Sequence, residues 1–241
     1  MFKKYFDVCF RDTYSYNLFK GIKSVRYSPD LLLSVKLPNI AQISGKIFVS
    51  VINPYLADCD CNNAEAENYI SLMAKTVTLM LRQGHNVCLS GLCILMEDFA
   101  TVNKIISQIP DNLKTNLKTI NYMGDGNFQP VLSQIAQSEY CLAGRLHAML
   151  FGFIGDKKTL PISYNIKFDR ILNDIGFNKR ILHIKQLENI SPEDLLNKLL
   201  SQKPANIKSL CKIADRQFAA LDKYIAKNNG TIIKYKNKKQ D

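Results

Sequence analysis

The sequence predicts an α/β protein built on a parallel sheet, and three observations carry that prediction. Short β-rich runs alternate regularly with longer stretches of helical periodicity. The best of the β runs, "KIFVSVI" at 46–52, is continuously apolar, as a strand covered on both faces should be. The helical stretches are punctuated by residues that start and stop helices, among them Gly84, Pro110, Ser191 and Pro192.

Along the chain, "YFDVCFRD" reads as a strand ending in a polar pair, "TYSYNLFKGI" as a short helix, and "SVRYSPDLLL" as a strand running into a turn. These make one βαβ remnant over residues 1–40, which lacks a sheet of its own, and "LPNIAQISG" follows as a linker. After strand 46–52 comes the helix "NAEAENYISLMAKTVTLMLRQG", closed by Gly84. Strand "NVCLSG", helix "EDFATVNKIISQI", strand "LKTINYM" and helix "FQPVLSQIAQS" follow in turn. Strand "EYCLAG" hands over to helix "LHAMLFGFIG", and strand "TLPISY" to helix "KFDRILNDIG". Strand "RILHI" and helix "SPEDLLNKLLSQ" complete the series. The last helix has Ser191 as N-cap, Pro192 at its first position and acids in its first turn. Residues 42–202 are therefore expected to form one Rossmann-like domain. One amphipathic packing helix is expected over 203–229, and a basic tail without regular structure over 230–241.

Composition narrows the function classes. Hydrophobic residues make up 46% of 241, enough for a sizeable core, and no apolar run reaches the length of a membrane span. The start, "MFKKYFDVCFRD", carries no small-residue cleavage site. The expectation is a protein without a signal peptide, cytoplasmic, with the inner face of the membrane as an expected place of contact. Seven scattered cysteines fit buried free thiols, and the "DCDC" pair Cys59 and Cys61 lacks the second pair a zinc site needs. No metal and no cofactor is expected. The net charge of +11 points to an anionic partner. No zinc-finger, RNP-like or basic-aromatic helix pattern directs it to nucleic acid. The basic tail suits peripheral contact with a membrane.

One stretch stands out. "CLAGRLHAMLFGF" places Arg145 and His147 at a strand end, as the next helix begins. "LPISYNIKFDR" places Lys167 in the same way after the following strand. Parallel sheets bind ligands at the carboxyl ends of their strands, where helix N-termini favour anions. Three potentially cationic groups at matching positions point to an anionic ligand. Each also has an ordinary structural role open to it: Arg145 as a cap, His147 as a core histidine, Lys167 as a solvated charge.

These residues also carry a family resemblance. "AGRLHAMLFGFIGDKKTLPISYNIKFDRILNDIGF" resembles the C-terminal signature of the polysaccharide pyruvyl transferases: an Arg-x-His pair opening a helix, then a strand, then Tyr-x-x-Lys before a helix ending in Ile-Gly. Here these are Arg145, His147, Tyr164, Lys167 and Ile175-Gly176. The N-terminal "FRDTYSYNLFKG…YSPDLLL" resembles the family's Arg-Asp-x-x-Ser segment and later Pro-Asp, on Arg11, Asp12, Ser15, Pro29 and Asp30. The chain departs from the pattern at Gly144, where a serine is frequent, at Ala148, where a glycine is, and in lacking Gly-x-Pro before the strand. The family is similar to two-domain GT-B enzymes, so the resemblance implies a GT-B-like C-terminal domain with the N-terminal domain largely missing.

The resemblance implies a transferase that takes phosphoenolpyruvate and forms a pyruvate ketal on a saccharide acceptor of a surface polysaccharide, with a lipid-linked intermediate as one form of that acceptor. It assigns acid–base work to His147. Donor binding falls to Arg145, Lys167 and Arg11, with Tyr164 lining the pocket. Arginine suits bidentate binding of carboxylate or phosphate, and histidine titrates near neutrality. For Arg11 a salt bridge to Asp12 or Asp30 is the equal alternative. Two other readings stay open: a GT-B glycosyltransferase using a nucleotide sugar, and a non-catalytic remnant acting as a binding partner.

Overall fold

The computed structural model describes residues 2–177 and 181–237. The chain forms two units, one from Met1–Ser34 with Lys208–Asp241 and one from Val35–Ile207.

In the first unit, strands β1 (Val8–Phe10) and β2 (Val25–Tyr27) pair in parallel around helix α1 (Thr13–Phe19), a βαβ unit with a two-stranded sheet of its own, where none was expected. Asp12 caps α1 by accepting from the Ser15 amide at 2.7 Å. Phe2, Phe10 and Phe19 form an aromatic cluster, with Phe10 and Phe19 stacked at 5.4 Å.

The single packing helix expected over 203–229 is instead two. They are written α8 (Lys208–Ala214) and α9 (Ala219–Asn237), in keeping with chain order. The break coincides with a contact from far along the chain. The Arg26 guanidinium, held by two bonds to Asp7 at 2.7 and 2.8 Å, also donates to the Gln217 carbonyl and takes it out of a helical ladder. The amides of Arg216 and Gln217 bond three residues back, as in a tightened terminal turn. Helix α9 continues through Asn237, so residues 230–237 are helical where a tail without regular structure was expected. The end of that tail, 238–241, lies outside the described residues, as does Arg180 at the start of the strand expected over "RILHI".

The second unit contains β3 (Ile47–Val51), α2 (Asn63–Arg82), β4 (Val87–Gly91), α3 (Asp98–Ser107), β5 (Leu117–Asn121) and α4 (Gln129–Gln137). It continues with β6 (Tyr140–Ala143), α5 (Leu146–Ile154), β7 (Lys158–Ser163), α6 (Ile166–Asp174), β8 (Leu182–His183) and α7 (Pro192–Leu200). The six strands form one parallel sheet in the order β5-β4-β3-β6-β7-β8. Counted within the sheet this is 3-2-1-4-5-6, the doubly wound Rossmann order.

Burial explains the strands: β3 and β4 are buried at every residue, as the continuous apolar runs predict. Helix α2 is fixed at its start by a capping box between Asn62 and Glu65 and ends before Gly84, whose φ of +83° suits a glycine. Its inner face, including Tyr69, Met73, Val77 and Met80, is sealed into the core with Leu195, Leu196 and Leu199 of α7. At the amino edge of the sheet two buried lysines meet the end of α4. Lys46 Nζ donates to Gln134 (2.9 Å) and Gln137 (2.7 Å), and Lys157 Nζ to the Ala136 carbonyl (2.7 Å) and Gln42 (3.0 Å). Burial lowers the pKa of both. Helix C-termini favour cations, so both lysines are accounted for structurally.

Candidate functional site

The order of the sheet defines where a ligand would sit. From β3 the chain winds outward through β4 and β5, then returns to β6 on the opposite side of β3. Helices following β3 and β6 therefore leave the sheet in opposite directions, and in this topology ligands bind at the carboxyl ends of these two strands. Arg145 follows β6 as the N-cap residue of α5, immediately before Leu146.

The residue that organises this edge is Asp98, the first residue of α3, fully buried. Its carboxylate accepts from the backbone amides of Asn53 (3.0 Å), Leu92 (3.2 Å) and Cys93 (2.9 Å), joining the ends of β3 and β4. It also takes the Arg145 guanidinium in a two-pronged pair, from Nε at 2.8 Å and from Nη2. The backbone is bent to aim it: Glu97 just before has φ +48°, a left-handed conformation that costs a non-glycine residue about 1 kcal/mol. Burial disfavours the charge on Arg145, but the hydrogen bonds and attraction from Asp98, with a smaller contribution from Tyr164, outweigh it and raise its pKa.

The passage from β6 to α5 is as tightly built. The Gly144 amide donates to the Ser50 carbonyl at 2.9 Å, and the Arg145 amide to the Ser50 hydroxyl at 3.2 Å. A Cβ on Gly144 would lie 2.7 Å from that carbonyl and 3.1 Å from the hydroxyl of fully buried Tyr69, which itself accepts from the Ile52 amide at 3.2 Å. A Cβ on Gly91 would lie 2.9 Å from the backbone of Asp98 and Phe99, so α3 starts in contact with the end of β4.

Arg145 and Tyr164 are brought together: Nη1 donates to the Tyr164 hydroxyl at 3.3 Å, and the guanidinium carbon lies 5.7 Å from the ring centre. Tyr164 also borders a cavity of about 160 Å³ with Asp60, Asn165, Asp169 and His183. His147 is exposed in the first turn of α5, which among the described residues opens without a side-chain cap. Lys167 lies at the start of α6 as expected, its Nζ 2.7 Å from Asp58 in an exposed ion pair. Arg11 belongs to the other unit and donates to Asp30 at 2.8 Å; Asp30 also accepts from the Leu32 amide at 3.0 Å, as a turn residue does. Arg145 and Lys167 are thus each matched by a carboxylate, as Arg11 is in its own unit, and this edge of the sheet is less cationic than the positions alone imply. Of the other two histidines, His85 Nδ1 lies 2.8 Å from the Gly45 carbonyl and His183 Nδ1 lies 3.6 Å from Asp169.

Sequence reasoning placed Asp98 only as the start of a helix and did not single out Ser50 or Tyr69. One signal was available for Asp98: a second acid directly after Glu97, at the start of the helix that follows β4.

The polysaccharide pyruvyl transferase family model matches residues 1–166, well over half of the chain, with Arg11, Arg145, His147 and Tyr164 inside the match. The chain belongs to this family. Curated proteins give no match. Among solved structures it is similar to the Thermobaculum terrenum O-GlcNAc transferase, at 10% identity and TM-score 0.41, over 84% of this chain and 37% of that one. It is also similar to the N-terminal domain of Candida albicans trehalose-6-phosphate phosphatase, at 8% identity and TM-score 0.41, over 82% of this chain and 46% of that one. The chain thus spans less than half the length of either structure.

For this pyruvyl transferase family member the exposed Lys167–Asp58 pair yields a separating test. Exposed ion pairs contribute little to stability. Lys167→Ala is therefore expected to leave the melting temperature essentially unchanged, so that any loss of anion binding would be a loss of ligand contact. A marked drop in melting temperature would make Lys167 structural.

Proposed function

We propose that this chain binds phosphoenolpyruvate at the carboxyl ends of β3 and β6 and transfers its carbon skeleton to a saccharide as a ketal. The observation that carries the reading is the first turn of α5, where the Arg145 side chain makes no cap hydrogen bond and His147 is exposed, at the sheet's switch point. It supports an anion site, since first-turn amides and the helix dipole favour negative charge. Membership of the family supplies the reaction class.

In this reading His147, as the imidazolium, delivers a proton to the enol methylene, which becomes a methyl group and leaves the central carbon electrophilic. One sugar hydroxyl attacks that carbon and returns its proton to His147. A second hydroxyl displaces the phosphate, which carries away the second proton, so that phosphoenolpyruvate and a diol give the ketal and inorganic phosphate. Arg145 acts mainly by position: clamped to Asp98, it fixes the turn that presents His147, and its remaining N–H groups are available to the donor. Lys167 reaches the donor by exchanging Asp58 for it. The acceptor is a saccharide of a surface polysaccharide, on a lipid carrier at the cytoplasmic face.

Calorimetry with phosphoenolpyruvate tests this on the wild type, His147→Gln, Lys167→Ala and Arg11→Ala. Loss of one charged hydrogen bond is worth about 1.5–3 kcal/mol, so Lys167→Ala is expected to weaken binding about tenfold or more. Arg11→Ala separates a donor contact, which weakens binding, from the Asp30 salt bridge alone, which leaves it unchanged. His147→Gln should bind the donor yet release no phosphate in the presence of acceptor glycans. Absence of binding to folded wild type at millimolar ligand would remove the donor assignment. A doubly wound crevice also suits nucleotides. Binding of a nucleoside diphosphate in place of phosphoenolpyruvate would select the nucleotide-sugar alternative.

A further inference from the structure

Charge and exposed apolar surface are both concentrated in the smaller unit. Residues Met1–Ser34 and Lys208–Asp241 carry fifteen Lys and Arg against six Asp and no Glu, so +9 of the chain's +11. The larger unit is close to neutral. Of the seventeen large hydrophobic side chains exposed among the described residues, ten lie in this smaller unit: Tyr5, Phe6, Tyr14, Leu18, Leu31, Ile213, Phe218, Leu221, Tyr224 and Ile225. A surface that is at once strongly basic and rich in exposed aromatics is unusual for a soluble face.

The two features share one patch. Helix α9 is exposed at every residue from 221 to 227. Leu221, Tyr224 and Ile225 stand at helical spacing on one side, continuing the line from Phe218, while Lys223 and Lys227 lie beside them in sequence. The Phe6 ring, 67% exposed, rests 5.3 Å from the Tyr224 ring and links this helix to the N-terminal segment. There Lys3, Tyr5, Phe6, Ile22 and Lys23 line a shallow groove.

We propose that this face docks on an anionic lipid surface, with Phe6, Phe218, Leu221 and Tyr224 entering the headgroup boundary and the lysines meeting the lipid phosphates. Among the described residues no helix is long and apolar enough to cross a membrane, so the contact is peripheral. Aromatics mixed with lysine mark a membrane interface. Protein interfaces are depleted in lysine, and this face has it throughout. The proposal differs from docking by the basic tail alone, because it assigns the insertion to Phe6, Phe218, Leu221 and Tyr224. It does not depend on pyruvyl transfer, and its test reads no turnover.

The test is co-sedimentation of the full chain with phosphatidylcholine vesicles and with vesicles that also contain phosphatidylglycerol. The chain should sediment with the anionic vesicles and remain in solution with the neutral ones, less so as salt rises. Phe6→Ser with Tyr224→Ser should lower partition at least tenfold while the melting temperature holds. Lys223→Glu with Lys227→Glu should lower it by about tenfold or more, each lysine near such a surface being worth about 1 kcal/mol. Replacing Lys234, Lys236, Lys238 and Lys239 by Gln should weaken binding yet leave it dependent on Phe6 and Tyr224. Failure to bind anionic vesicles at low salt would overturn the proposal, as would full binding by the Phe6 and Tyr224 variant. So would self-association by light scattering that this variant abolishes, since the face would then be a protein interface.

Discussion

Asp98→Ala is expected to be the most damaging single substitution in the larger unit, costing about 3–5 kcal/mol. It removes the acceptor of three backbone amides and leaves the Arg145 guanidinium, whose side chain is only 12% exposed, without a countercharge. Each loss is of the costly kind, in which one partner of a buried interaction stays behind unpaired. A native stability of about 5–15 kcal/mol would lose a large fraction. Asp98→Asn should be nearly as harmful, because an amide presents one donor to a site where only donors converge. Removing the other partner as well changes the outcome. Asp98→Ala with Arg145→Met should recover part of the loss, since the double variant no longer buries an unpaired charge. Urea unfolding of the two singles and the double gives the coupling. Strict additivity, or a cost of Asp98→Ala below about 1 kcal/mol, would mean that the pair does not hold this edge of the sheet.

The role of Asp98 also shows where the sequence stops being informative. The alternation of strands and helices was legible because each element announces itself within about twenty residues, by apolar runs such as "KIFVSVI" or caps such as Asn62 and Ser191. Positions at strand ends follow from those boundaries, which is why Arg145, His147 and Lys167 could be placed at the carboxyl edge. Their partners could not. Asp98 lies 47 residues from Arg145, and Asp58 lies 109 from Lys167. An acid in a helix's first turn is what the dipole alone would favour, so Asp98 looked ordinary. The break between α8 and α9 was hidden for the same reason: the 204–228 pattern is helical throughout, and what interrupts it is Arg26, from the other end of the chain. Lys46 and Lys157 count toward the net charge like any other lysine, yet both are taken up by the end of α4.

Gly144→Ser should also destabilise the larger unit, by less than loss of Asp98 and for a steric reason. The added Cβ would meet the Ser50 carbonyl at 2.7 Å, the Tyr69 hydroxyl at 3.1 Å and the Val51 Cα at 3.4 Å. Two of these three neighbours are backbone of the central strand β3, and the carbonyl is the acceptor of Gly144's own amide. It cannot withdraw without breaking the bond that brings β6 into α5. Overpacking of this kind costs about 1–3 kcal/mol. The displacement falls on the turn that carries Arg145 and His147, so donor binding should fall further than stability does. A companion variant identifies the obstruction. If the Tyr69 hydroxyl were the tight contact, Tyr69→Phe would rescue Gly144→Ala. With the Ser50 carbonyl as the tight contact, the double variant stays at least as unstable as Gly144→Ala alone, because Tyr69→Phe also strips the Ile52 amide of its acceptor. Thermal unfolding of the three variants decides between them. The serine frequent at this position in the family's pattern is thus the residue that the packing of this chain excludes, and the glycine marks how closely β3 and the start of α5 approach at the site.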